Sequence, residues 1–168
     1  MIAHALLGAS GAHRWLNCTP SARLEENYED TTSDYAKEGT LAHSLCELKL
    51  EKYLTPMTTR TYNTKHKKIK EDVLYGAKEM EDASDLYLEH IKEIMISFAS
   101  KPFVAIEAKV KFTEYVPDGF GTVDCLIISE DTLYVRDFKY GAGVPVSAEL
   151  NPQMMLYALG AYLENSLF

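Results

Sequence analysis

Apolar residues recur at three- and four-residue steps through most of the first hundred positions, and at two-residue steps afterwards. Over 34–54, Leu41, Leu45 and Leu48 repeat at helical spacing, with Ala42 and Cys46 widening the stripe. This predicts a helix, ended by Pro56 and the threonines that follow. Over 70–98, Val73, Ala77, Met80, Ser84, Tyr87, Ile91, Met95 and Phe98 walk along one face of a longer amphipathic helix. Residues 10–26 read as one or two short helical turns broken near Pro20, with Ser10 as an N-cap.

From 103 the period becomes two. Val104, Ile106, Ala108, Val110 and Phe112 alternate with charged neighbours, which predicts a half-buried strand with these five on one face. "VPDGFG" is a turn by composition, and "TVDCLIIS" and "TLYVRDFK" are two more strands around Glu130-Asp131. "NPQMMLYALGAYLEN" opens a helix, with Asn151 as N-cap and Pro152 at its first position. The order is helices, a three-strand meander, then a helix, with no internal repeat. A mixed domain usually lays another strand across such a helix, yet only "SLF" follows, so the chain reads as truncated.

The third strand carries chemistry. Asp137 and Lys139 lie two residues apart, so on a strand they share a face. Alone, such a pair reads as an exposed ion pair, worth little. The hairpin changes that. If Glu130-Asp131 is a two-residue loop, Ser129 faces Thr132, and the count carried back places Asp124 directly opposite Asp137. A three-residue loop would shift this by one. Opposed residues have Cβ atoms about 4.5–5.5 Å apart, and like charges there destabilise the pair. The face also carries Leu126, Ile128, Leu133 and Val135. A divalent cation offsets such repulsion and lowers the pKa of a bound water, which Lys139 could orient or deprotonate.

Charge and cysteine content narrow the classes. The 168 residues suffice for one domain with a core. A net charge of −8 argues against coating nucleic acid through bulk charge. One basic stretch, "RTYNTKHKKIK" at 60–70, reads either as a solvated loop or as a phosphate-contact patch through Lys65, Lys67 and Lys68. Cys18, Cys46 and Cys125 are odd in number and widely spaced, which fits a reducing cytosol. No apolar run approaches a membrane span.

Four stretches together resemble the PD-(D/E)XK nuclease superfamily, in its RecB-like branch of CRISPR-associated and AddB-type exonucleases. "GFGTVD" and "VRDFKYG" resemble its G-x-x-D and D-x-K elements, "EGTLAHSLCE" its G-x-x-x-H helix, and "NPQMMLYALG" its closing Q-x-x-x-Y helix. The combination also resembles an uncharacterised phage-associated RecB-like family. The resemblance implies one nuclease domain over 1–168, helical over 1–100, with the meander and helix over 101–168. It implies an α/β restriction-endonuclease-like core: a mixed sheet flanked by helices, with an N-terminal helical region. It implies His43, Asp124, Asp137 and the Phe138 carbonyl as ligands of Mg²⁺ or Mn²⁺. Lys139, Gln153 and Tyr157 complete the catalytic set. Glu107 on the first strand and Glu47 on the His43 helix are further candidates.

"GASGAHRWLNCTPSARLE" resembles the N-terminal stretch of iron–sulfur members, so Cys18 would be a cluster ligand only in a longer chain. Cys46 and Cys125 read as core residues. The implied function is metal-dependent hydrolysis of DNA, as an exonuclease in phage replication or recombination and repair. Recombination or phage replication proteins are the implied partners. The alternative is an idle nuclease fold that binds DNA or protein. A third reading, an unrelated interaction protein, requires all four motifs to be coincidence.

Overall fold

The computed structural model describes residues 5–28, 33–73, 75–141 and 146–165. Among the described residues, six helices accompany a three-stranded sheet. A 3-10 turn at Ala9–Gly11 leads into α1 (Ala12–Asn17) and α2 (Ser21–Glu25). Then come α3 (Asp34–Leu54), α4 (Thr59–Glu71) and α5 (Ala77–Ile96). The strands are β1 (Phe103–Lys111), β2 (Phe120–Ser129) and β3 (Thr132–Arg136), and α6 (Pro152–Asn165) follows. The class is α/β. No helix among the described residues is long and apolar enough to cross a membrane.

The long helices form where the apolar stripes predict them. Ser33 caps α3 by accepting from the Ala36 N–H, and Thr55 closes it. In α5 the inner stripe Met80, Ser84, Tyr87 and Ile91 is buried. This helix starts at Ala77 instead of 70, because Gly76 takes a left-handed φ of 62° and breaks the run. Leu74, within the predicted span, lies outside the described residues, as does the closing "SLF". Asn151 caps α6, its Oδ1 accepting from the Met154 N–H at 3.2 Å. Ser10 caps nothing: it sits within the 3-10 turn, and neither that turn nor α1 has a side-chain cap. The basic stretch 60–70 is α4, a helix and not a loop. Thr58 caps it, accepting from the Thr61 N–H.

Among the described residues both strand pairings are antiparallel, in order β1-β2-β3. The expected mixed character is therefore absent from this part of the chain. Connections of only eight and two residues reverse the chain and leave no room for a crossover. Helices α3 and α5 pack on one face around Leu45, Met80, Ile91, Cys125 and Ile127. Helix α6 and the 3-10 turn pack on the other, around Ala9, Val110, Val123, Leu126 and Ala161.

Strand β1 does not keep one face. Val104 and Ile106 join the α3–α5 core, whereas Ala108, Val110 and Phe112 join the α6 core. The change occurs at Glu107, whose φ is 48°, a left-handed value that costs a non-glycine residue about 1–2 kcal/mol. The ladder pairs Ile106 with Cys125 and Ala108 with Val123, so Glu107 and Asp124 stand at one level between them. Strand β2 switches there too: Val123 belongs to the α6 core and Cys125 to the other.

Candidate active site

The hairpin register is the one that the two-residue loop implies. Ser129 pairs with Thr132, and the ladder runs through Cys125 and Arg136. Asp124 and Asp137 come one step later, where β3 has already ended. Asp137, Phe138 and Lys139 are therefore not strand residues, as the sequence pattern suggested. The reason lies in Asp124. Its Oδ2 accepts the Phe138 N–H at 2.6 Å, so a side chain takes the hydrogen bond that a further rung of the ladder would have used.

Each acid is drawn to a different helix. Asp124 Oδ1 lies 3.2 Å from His43 Nδ1 on α3. Asp137 Oδ1 accepts from Gln153 Nε2 on α6 at 3.2 Å, and its Oδ2 meets Lys139 Nζ at 2.5 Å. Gln153 Nε2 also lies 2.8 Å from the Tyr157 hydroxyl. Two hydrogen-bonded groups, one from α3 and β2 and one from α6, thus meet at the Asp137–Phe138 peptide after β3. The acids sit at the same level of the sheet, but their side chains reach toward opposite faces.

Electrostatics mark the group. The Asp124 hydrogen bond raises the His43 pKa against the pull of burial, and the charges of Asp124 and Asp137 add to it. Burial raises the Asp137 carboxyl, and the Lys139 hydrogen bond and charge do not cancel this. Glu107 is pushed up to about 7, by partial burial first and then by Asp124 and Glu47, with His43 opposing. Glu107 on β1 stands level with Asp124 on β2, and Asp137 follows directly after the end of β3. Glu47 is half-buried on α3, its carboxyl raised by burial and then by Glu51. The Tyr157 phenol is buried and pushed up to about 12, by burial first, while the Gln153 hydrogen bond opposes.

Two glycines of the motifs differ in purpose. A Cβ at Gly121 would collide with the Tyr157 ring, so only glycine lets the tyrosine ring lie against β2. A Cβ at Gly39 would meet nothing within 4 Å, so packing does not require that glycine.

The donor chemistry fits a hard divalent cation: two carboxylates and an imidazole are an N/O set suited to Mg²⁺ or Mn²⁺. The arrangement is not a ready cage. Among the described residues no three His, Cys, Asp or Glu side chains are grouped to hold a metal ion. His43 and the Phe138 N–H occupy Asp124, and Lys139 and Gln153 occupy Asp137. Ligation would require His43 and Lys139 to turn from the acids. The observed backbone contact of Phe138 is its N–H, and its ring packs edge-on to His43 at 5.6 Å.

The remaining candidates lie elsewhere. Cys18 is exposed at the end of α1. Cys46 and Cys125 are buried core thiols, each pushed up to about 12 by burial first. On α4, Lys65 is tied to Glu51 at 2.8 Å, and Lys67 lies 3.7 Å from its helix neighbour Glu71. Arg60, Asn63, Thr64, Lys67 and Lys68 line an open outward stripe with Glu71. Arg60 opens the basic stretch that the sequence singles out, and its spacing of seven and eight residues from Lys67 and Lys68 puts the three on one helical face.

A family model described as a protein of unknown function, DUF2800, matches residues 4–168. No solved structure matches the chain.

Proposed function

We propose that this chain, which belongs to the DUF2800 family, is a RecB-like, metal-dependent deoxyribonuclease built on a restriction-endonuclease-like core. The observation that carries the reading is the convergence of the four motifs. His43 and Asp124 form one hydrogen-bonded group with the Phe138 N–H. Lys139, Asp137, Gln153 and Tyr157 form another, and the two meet at the Asp137–Phe138 peptide. Asp124, Asp137 and His43, with the Phe138 carbonyl, would hold Mg²⁺ or Mn²⁺. When bound, the ion supplies a Lewis acid and a water of lowered pKa.

The chain's own residues do the positioning. Asp137 keeps Lys139 within reach of the acid pair, where its ammonium can orient an attacking water or meet the charge that develops on the phosphate. Gln153 fixes the Asp137 carboxylate, and Tyr157 fixes Gln153. Glu107 adds a third carboxyl at the same level. The exposed face of α4 offers Arg60, Lys65, Lys67 and Lys68 to a phosphate backbone, since the surface ion pairs of Lys65 with Glu51 and of Lys67 with Glu71 are weak. DNA is the proposed substrate, cut from an end, in an intracellular phage or recombination setting. An iron–sulfur cluster at Cys18 would need ligands beyond these residues.

A second reading has its own support. Each acid already has a cationic or polar partner within the chain, which also suits an idle fold that binds DNA or protein. The test is incubation of the full natural chain with linear and circular DNA, with and without Mn²⁺ or Mg²⁺, beside Lys139→Ala. Metal-dependent cleavage of linear DNA that Lys139→Ala abolishes is expected. DNA binding without cleavage would favour the idle fold.

A further inference from the structure

Helix α4 is held differently from its neighbours. None of its 13 residues is buried, whereas α3 and α5 each bury several. The helix is also weak by itself. Thr59, Thr61, Tyr62, Asn63, Thr64 and Ile69 are poor helix formers. Lys65 and Lys68 repel across one turn, as do Lys67 and Lys70. Even Ala-rich helices shorter than about 12–15 residues are marginal in water. Helix α4 therefore depends on its contacts with the rest of the chain.

The strongest of those contacts converge on one carboxylate. Ile69 packs partly buried against the α3–α5 core, and the Tyr62 ring stacks on His66 at 5.5 Å. Lys65 meets Glu51 of α3 in an exposed pair of little strength. Two further ties reach Glu81 of α5. Its Oε2 lies 3.0 Å from His66 Nε2 and 3.5 Å from Lys70 Nζ. The Glu81 and His66 side chains are 25% and 22% exposed, so water and salt screen this contact less. Lys49 also holds Glu81, but it has a second partner in Asp85. By helical spacing, Arg60, Lys67 and Lys68 stand on the side of α4 turned away from Glu81, and that side is open.

We infer that α4 is a latched arm: Glu81 holds it to the body through His66 and Lys70, and a phosphate backbone opens it by competing with Glu81 for those two side chains. This rests on the reading of α4 as a phosphate-contact surface and is independent of the chemistry of the acids. The docked arm offers a polyanion its outer cations. The open arm offers Lys70 and His66 as well, so a polyanion binds the open state better and shifts the arm toward it. Glu81 is in this sense a built-in competitor of the phosphate.

Amide hydrogen exchange and binding of mixed-sequence linear duplex DNA are measured in EDTA for wild type, Glu81→Gln, His66→Ala and Asp34→Asn. The last makes the same charge change as Glu81→Gln, at the end of α3 roughly 25 Å from Glu51. In Glu81→Gln the amides of 59–71 should exchange roughly 10-fold faster or more, the size of one lost charge-assisted hydrogen bond. Helices α3 and α5 should keep their protection. DNA should bind Glu81→Gln more tightly than Asp34→Asn, with a salt slope steeper by about one for the freed Lys70. His66→Ala undocks α4 from its own side, leaves Lys49 both partners and improves helix propensity. Faster exchange of 59–71 in that variant therefore reports undocking alone. Unchanged exchange of α4 in both variants would overturn the inference, and so would loss of protection that spreads through α3 and α5 in both. A DNA affinity of Glu81→Gln no higher than that of Asp34→Asn would also overturn it and leave α4 a fixed phosphate surface. Wild type that binds no DNA would remove both, and the cleavage assay judges the nuclease reading separately.

Discussion

Two clusters in this molecule are built from the same ingredients and end in opposite electrostatic states. One lies where α3, α4 and α5 meet. There Lys49, whose side chain is 3% exposed, contacts Glu81 at 2.9 Å and Asp85 at 2.5 Å. His66 and Lys70 reach the same Glu81 at 3.0 and 3.5 Å. Burial alone would raise Glu81, but Lys49 and His66 hold it below its ordinary value. Burial also pulls Lys49 down, and its bonds to Asp85 and Glu81 outweigh that. The second cluster is the candidate site. There Asp137 is 6% exposed, and its cation Lys139 is 46% exposed. Burial wins, and Asp137 stays raised. The first cluster is a closed lock between helices. The second leaves Asp137 raised, a shift of the kind that clusters at functional sites and so supports the proposed one.

The largest effect should come from the open cluster. Lys139→Ala is expected to lower metal-dependent DNA cleavage by about 10²–10³-fold, the size seen when one group that meets transition-state charge is lost. Single-turnover assays at saturating Mn²⁺ check this. Unchanged cleavage would place Lys139 outside the chemistry and weaken the contrast between the clusters.

At Lys49 the closed cluster should respond in stability alone. Lys49→Met leaves Glu81 and Asp85 without their buried cation. The expected loss is about 2–3 kcal/mol, below the roughly 3–5 kcal/mol of a fully buried pair, because Asp85 reaches solvent. Urea titration measures it. Cleavage per folded molecule should equal wild type. A fall in that rate would mean that the two clusters are coupled through α3.

These expectations rest on features that differ in how well the sequence showed them. The hairpin register could be counted from a two-residue loop and is correct as far as Cys125 and Arg136, but the ladder ends there, one step short of Asp124 and Asp137. The stripes of α3 and α5 follow from side-chain period alone. Helix α4 was illegible as a helix because none of its residues is buried. Its inner contacts are Tyr62, His66 and Ile69, at helical spacing but with only two of the three apolar. Thr58 as N-cap was the signal that could have found it. The end of β3 was hidden because it depends on a side chain of another strand, Asp124, capturing the Phe138 N–H. The turn of β1 at Glu107 was hidden because alternation assumes that every residue keeps a negative φ. The partners of Lys49, Glu81 and Asp85, both lie on α5, 32 and 36 residues away, which no local pattern reports.

A third, smaller effect tests how the open cluster is framed. Gly121→Ala sets a methyl against the Tyr157 ring. The expected cost is about 1–3 kcal/mol of overpacking. Displacement of Tyr157 should also loosen Gln153 from Asp137, with a loss in cleavage of up to about 10²-fold. Gly39→Ala, where there is open space within α3, should leave cleavage unchanged and raise stability by about 0.5–1 kcal/mol. Equal behaviour of the two variants in melting and cleavage assays would remove the close approach as the reason for Gly121.

The smallest effect is the dependence of stability on pH, and it separates the clusters by sign. Glu107 has its folded pKa raised to about 7 from an ordinary 4.5. Between those values the folded protein holds the proton more tightly than the unfolded chain does. Stability therefore falls as pH rises through that window, and Asp137, raised for the same reason, adds to the fall. Glu81 works the other way: its lowered pKa gives stability that is present above the ordinary carboxylate value and lost as pH falls below it. Glu107→Gln should flatten part of the fall between pH 5 and 7 and leave the acid-side loss in place. Glu107→Gly should do the same and also melt slightly higher throughout, since glycine relieves the left-handed backbone by about 1 kcal/mol. Melting curves at half-unit steps of pH measure both. If the Gln variant kept the full wild-type slope, Glu107 would be an exposed acid at a strained turn of the strand and not a third carboxyl of the site.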